Sequence, residues 1–168
     1  MKKQTVKQRS TKVLIPGILA LNRLGTLPHM FIQAFTTDSA VALFIYDRDR
    51  MSFFNYLLAE LTHIKLSRIY SGCLNKAEYE HCCDLLNYLS KSPLYIDDSG
   101  PIDIKEINKR LCRLQKELSQ QGIKLGLVAC WMPNRKFSYQ EYTVFQGGLE
   151  IISQKFDVPV FVENYKNN

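Results

Sequence analysis

Acidic pairs are the first places to look for chemistry in this 168-residue chain: Asp47 and Asp49 within Asp47-Arg48-Asp49-Arg50, and Asp97-Asp98 after a short apolar segment. Carboxylates so placed serve as a general acid, a base or a metal ligand. Set among arginines or at a turn, they serve equally as solvated caps that lead a helix. Histidine offers less: His29, His63 and His81 lie far apart, and no serine on a glycine elbow accompanies them. Cys73, Cys82, Cys83, Cys112 and Cys130 make an odd number, and none stands in a CxxC pair of the kind that holds zinc. Reduced thiols in a cytoplasmic protein are the expectation. A loop that grips phosphate needs several glycines, a lysine and a following Ser or Thr. Asn22-Arg23-Leu24-Gly25-Thr26-Leu27-Pro28-His29 has one glycine and no lysine, and Pro28 removes an N–H donor.

Apolar spacing predicts the elements that position these groups. Leu27 to Phe35 makes a short helix with Pro28 in its first turn, and Val41 to Tyr46 a strand buried on both faces. Phe53, Phe54, Leu57, Leu58, Leu61 and Ile64 recur at three and four, the stripe of a helix. Asn75-Lys76-Ala77-Glu78 is a capping box, followed by a stripe of Tyr79, Cys82, Cys83, Leu86 and Leu89. That stripe sets the Cys82-Cys83 pair in packing rather than in redox chemistry. A strand at Pro93 to Ile96 precedes a helix capped by Asp103 and Glu106, striped by Ile107, Leu111, Leu114 and Leu118, and stopped by Gly122. Leu125 to Trp131 is a second buried strand. Ser138 to Glu141 is a further capping box, with Tyr142, Phe145, Leu149, Ile152 and Phe156 behind it, and Val158 to Val162 is the last strand. Strand and helix alternate, which predicts one three-layer α/β domain over residues 13–168 with a mostly parallel sheet, after a basic, flexible terminus at 1–12.

Lys and Arg total 22 against 16 Asp and Glu, a net charge of +6 and a pI near 9.1. Hydrophobic residues at 46% exclude a wholly disordered chain. No apolar run approaches the roughly 20 residues of a bilayer span, and the basic start lacks the pattern of a secretory signal. The excess charge permits an anionic partner. Lys109, Arg110, Arg113 and Lys116 band one helix, either to meet phosphates or to solvate its polar face.

A family pattern runs through the middle of the chain. Ser90-Lys91-Ser92-Pro93-Leu94-Tyr95-Ile96-Asp97-Asp98-Ser99 resembles the Pro-Leu-Tyr-Ile-Asp-Asp signature of the C-terminal, RecA-like motor domain of bacterial replicative DNA helicases of the DnaB type. Leu57-Leu58-Ala59-Glu60 through Arg68-Ile69-Tyr70-Ser71-Gly72-Cys73-Leu74 is similar to that family's leucine-rich helix and arginine-isoleucine-x-x-glycine-x-leucine stretch. Glu78-Tyr79, Leu125-Gly126-Leu127-Val128 and Phe156-Asp157-Val158-Pro159-Val160 follow in the family's order, so the resemblance covers about Val41 to Val162. It implies a RecA-like, P-loop NTPase-type fold without a functional P-loop.

The departures fall on every catalytic part that the resemblance implies. Asn22 to Leu27 stands at the phosphate loop without its lysine, Asp47 at the catalytic glutamate, Ala129 at the magnesium-directed aspartate, and Tyr165 near a phosphate-sensing glutamine. The resemblance further implies a shortened motor domain, without the family's N-terminal helical domain, last strands and trans-acting arginine. The expectation is a pseudoenzyme with no cofactor and no membrane partner, which binds a protein in DNA replication or mobile-element maintenance. That partner is the replicative helicase or a second copy, with Trp131, Phe161 and Tyr165 as contact residues and Trp131 equally readable as core. The alternative is a weak, non-specific nucleic-acid-binding module using Lys109, Arg110, Arg113 and, on Pro133-Asn134-Arg135-Lys136-Phe137, Arg135 and Lys136. An open sheet edge at Val158 to Val162 is expected to favour association.

Overall fold

The computed structural model describes residues 11–14, 27–46, 49–101, 103–132 and 138–164. In chain order the elements are β1 (Thr11–Leu14), α1 (Leu27–Thr36), β2 (Ser39–Ile45), α2 (Arg50–Thr62), α3 (Leu66–Ser71), α4 (Lys76–Lys91), β3 (Leu94–Asp97), α5 (Ile104–Gln120), β4 (Lys124–Trp131), α6 (Tyr139–Phe156) and β5 (Val160–Asn164). They build one five-stranded sheet in the order β1-β5-β4-β2-β3. β3, β2, β4 and β5 run parallel, and β1 lies antiparallel against β5.

The two-residue period of a strand explains the layers. Ala42, Phe44 and Tyr46, with Val128, Cys130, Met132, Val160 and Val162, point to one face, where Ile107 and Leu111 of α5 and Phe145, Leu149, Ile152 and Phe156 of α6 cover them. Val41, Leu43 and Ile45, with Leu127, Ala129, Trp131 and Phe161, point to the other face and meet α1, α2 and Leu89 of α4. Both faces are thus buried, as the apolar runs at β2 and β4 predict. Cys130 is wholly enclosed, and burial pushes its thiol up to about 12.

Local chemistry sets the helix ends. Asn75 and Glu78, and likewise Ser138 and Glu141, exchange the reciprocal bonds of a capping box, while Asp103 accepts from the Glu106 N–H at 2.8 Å. Gly122, at φ +70°, ends α5 in the left-handed conformation that glycine adopts freely. Between β2 and β4 the register slips at Ala40/Val41, where a Cβ on Gly126 would run into the Ser39 side chain.

Three expectations change. The stripe on α4 is narrower: Cys82 and Leu89 are buried, but Cys83 is exposed, and Tyr79 and Leu86 stand 62% and 40% open. Leu85 rather than Leu86 completes the inward face, because Cys82, Leu85 and Leu89 are the α4 side chains packed against the adjoining clusters. β5 is not an edge. Residues 11–14 pair along it, Thr11 opposite Asn164 and Leu14 opposite Phe161. Among the described residues the parallel strand at the sheet edge is β3 instead, only four residues long. Lastly, α3 has no counterpart in the sequence reading; its six residues are too few for a period to show.

Candidate functional site

In an open α/β sheet, ligands sit beyond the carboxyl ends of the parallel strands. At the end of β2, Asp49 is the N-cap of α2: it accepts from the Ser52 N–H at 2.8 Å and from the Ser52 hydroxyl. Tyr70 of α3 donates its hydroxyl to the Ser52 oxygen at 3.1 Å, tying that corner together. Asp47, its neighbour in sequence, lies outside the described residues.

The end of β3 keeps both carboxylates and engages both. Asp98 meets Arg50 at 2.8 Å. Asp97 accepts from Arg110, from the Ser99 hydroxyl at 2.7 Å and from the Ser99 N–H at 3.1 Å. Burial pushes the Asp97 carboxyl up, but the bonds from Arg110 and Ser99 and the nearby guanidinium charge outweigh it and hold the group below the usual carboxylate range. Arg110 also donates to Glu106 at 2.9 Å and to the Ser99 hydroxyl at 2.7 Å. Those two carboxylates raise its own pKa, and its bond lowers that of Glu106.

At the end of β4 the chemistry is apolar. Trp131 is 3% exposed, stacked on Tyr56 of α2 with ring centroids 4.7 Å apart and edge-on to Phe53 at 5.4 Å. Ala129 lies mid-strand, opposite Leu43 and Phe161, with no exposure. Ala129 and Trp131 lie on the same, α1–α2 face of the sheet, and Trp131 is the last residue of β4.

A magnesium-bound nucleotide needs a carboxylate at this strand end and a lysine-bearing phosphate loop. The end of β4 carries the buried indole of Trp131 rather than a carboxylate, and residues 22–27 contain no lysine. Moreover β1 ends at Leu14, opposite Phe161, so it points away from the end of the sheet where Asp97 and Trp131 lie. Residues 22–26 of the phosphate-loop segment lie outside the described residues.

The expected interfaces are also revised. Arg110 is withdrawn from phosphate contact by Asp97, Ser99 and Glu106, and Lys109 sits 3.7 Å from Glu106. Arg113 remains exposed; with Glu117 and Leu114 it borders a cleft of about 200 Å³ between β3 and α5. Trp131 and Phe161, expected as protein contacts, are core side chains at 3% exposure each, because their strand positions point to the α1–α2 face. Arg135, Lys136 and Tyr165 lie outside the described residues. Sequence reasoning missed Arg50 as the partner of Asp98; its place at the start of a helix beside a strand end was the available signal.

Among the described residues no helix is long and apolar enough to cross a membrane, and no group of three His, Cys, Asp or Glu side chains is placed to hold a metal.

Comparison with known proteins agrees with this frame. Residues 25–162 match the model of the DnaB-like helicase C-terminal domain. The replicative DNA helicase DnaB of Nostoc sp. is 27% identical over 122 residues, 72% of this chain and 14% of the relative. That of Helicobacter pylori is 23% identical over 155 residues, 90% of this chain and 32% of its own length. The chain thus spans a third or less of these relatives. A solved structure of an ATPase domain superposes with a TM-score of 0.58 at 14% identity, covering 83% of this chain and 51% of that one, which supports the RecA-like P-loop NTPase-type fold. By the family match over residues 25–162, this chain belongs to the DnaB-like helicase C-terminal domain family.

Proposed function

We propose that this DnaB-related module is non-catalytic and acts by binding a protein partner, with a replicative DNA helicase as the first candidate and a second copy as the other. The observation that carries the reading is the end of β4. There the last strand residue is an indole stacked on Tyr56 rather than a carboxylate, and its burial makes it part of the core, while Ala129, two residues before it, has no ionisable group. A domain that keeps its family's packing while its strand ends are filled or ion-paired retains surface rather than chemistry.

The surface itself supports binding. Tyr79 and Leu86 on α4, and Tyr139, Val144 and Ile151 on α6, are large apolar side chains left open to solvent. Val144 and Ile151 stand seven positions apart, two turns along one side of α6. The nucleic-acid alternative is weakened by Arg110, whose charge is already neutralised.

Sedimentation velocity on the chain alone, and mixed with a full-length DnaB helicase, tests the reading. The expected result is a co-sedimenting complex, or self-association, that Ile151→Asp or Leu86→Asp weakens about tenfold. A chain that stays monomeric beside the helicase yet binds a polynucleotide through high salt would overturn it.

A further inference from the structure

A second cleft, of about 520 Å³, opens between the turn after α2 and the start of α4, away from the strand ends described above. Thr62, His63 and Lys65 line it from the turn, Arg68 from α3, and Glu78 and His81 from α4. Two of these groups make a fixed wall. Arg68 forks across the Glu78 carboxylate, at 2.7 Å on one arm, and donates from Nε and Nη2 to the Cys73 carbonyl at 3.1 and 3.0 Å. Glu78 also accepts from the Asn75 N–H at 2.9 Å, so the one carboxylate lining the cleft is already engaged. Thr62 is satisfied too, donating to the Leu58 carbonyl at 2.6 Å and accepting from the Ile64 N–H at 3.3 Å.

What remains is a set of nitrogen donors. His63, Lys65 and His81 are exposed, and none of the ion pairs or hydrogen bonds described here among the described residues engages their side chains. His63 closes α2 in the left-handed region, φ 59° and ψ 18°, an uncommon conformation for a residue with a side chain. That reversal turns the chain so that His63 and Lys65 face the same cleft as His81, nearly a full helical turn beyond Glu78 on α4. Three N–H-bearing heads around a concave surface, beside a guanidinium already held in place, match the donor needs of an oxyanion.

We infer that this cleft is a phosphate-binding site, in which Lys65, His63 and His81 hold the oxyanion and the Arg68–Glu78 pair keeps the wall rigid. The site stands on residues separate from the strand ends and from the apolar stripes, so it holds or fails independently of the partner-binding reading.

Imidazole resonances of the full chain, followed while inorganic phosphate or a short single-stranded oligonucleotide is added, test it. The expected result is saturable shifts of both His63 and His81. Binding should weaken roughly tenfold in Lys65→Ala and in the His63→Asn, His81→Gln double variant. Asn is chosen at His63 because it tolerates the left-handed conformation, and an unchanged melting temperature confirms the fold. Saturation by inorganic phosphate at least as tight as by the oligonucleotide assigns the site to small phosphates, and tighter binding of the oligonucleotide assigns it to a nucleic-acid backbone. Shifts that never saturate with either, variants that bind as tightly as the unmodified chain, or a response to zinc without one to phosphate would each overturn the inference.

Discussion

The ends of β3 and β4 lie two strands apart in one sheet and are filled in opposite ways. At β3 two carboxylates survive, but Arg110, Ser99 and Arg50 take them up. At β4 a tryptophan packs into the core against Tyr56 and Phe53. A charged strand end closed by ion pairs can reopen when a partner side chain moves, at the cost of a few hydrogen bonds. An end closed by a buried indole cannot reopen without disrupting the core, so the two ends should respond very differently to substitution.

The largest difference is expected at Trp131. Trp131→Ala removes a stacked, buried ring and should lower stability by about 3–5 kcal/mol in urea unfolding. Trp131→Asp, which places a carboxylate at the strand end, should cost at least as much, because the new charge would be buried without a partner. A Trp131→Asp chain as stable as its parent would break the comparison, since it would mean that the end of β4 is solvent-accessible.

A smaller effect is expected at Arg110. Arg110→Met leaves Asp97 with Ser99 alone and should cost about 1–2 kcal/mol at neutral pH, part of the charge being solvated. The pH dependence carries a definite sign. Asp97 is held below its usual range in the folded chain, so its ionised form adds stability above the unfolded value and loses it as pH falls through the folded one. The gap between parent and variant should therefore be full at neutral pH and shrink below about pH 4, as urea midpoints measured across that range will show. A gap that widens in acid would mean that Asp97 is not the group Arg110 stabilises.

The smallest effect belongs to the exposed pair. Arg50 and Asp98 are 49% and 35% open, and Arg50→Ala should change stability by under about 1 kcal/mol, less still at high salt. If Arg50→Ala matched Arg110→Met, the two carboxylates at the end of β3 would have to be treated as one coupled network rather than as a half-buried pair and a surface pair.

These sites also mark where the sequence could be read. The stripes on α5 and α6 and the runs at β2 and β4 were legible because a period of 3.6 or an unbroken apolar segment leaves little choice of buried face. On α4 the same reasoning went astray, since Tyr79, Cys83 and Leu86 share a helical spacing as good as that of Cys82, Leu85 and Leu89. Only the neighbouring elements decide which of the two faces turns inward. Arg110 looked like a phosphate contact because its partner Asp97 lies 13 positions away, beyond what local pattern can join. Ala129, which the resemblance sets at the missing aspartate, lies two residues before the end of β4 at Trp131. The pairing of Thr11-Lys12-Val13-Leu14 with β5 gave no signal, since four residues of mixed polarity make no recognisable strand.

Titration calorimetry with ATP and magnesium on the full chain tests the central claim most directly, that the strand ends of this DnaB-related module no longer hold a nucleotide. With Trp131 filling the end of β4 and no lysine between Asn22 and Leu27, no saturable heat should appear up to roughly millimolar nucleotide. A stoichiometric site of micromolar affinity, dependent on magnesium, would contradict the account.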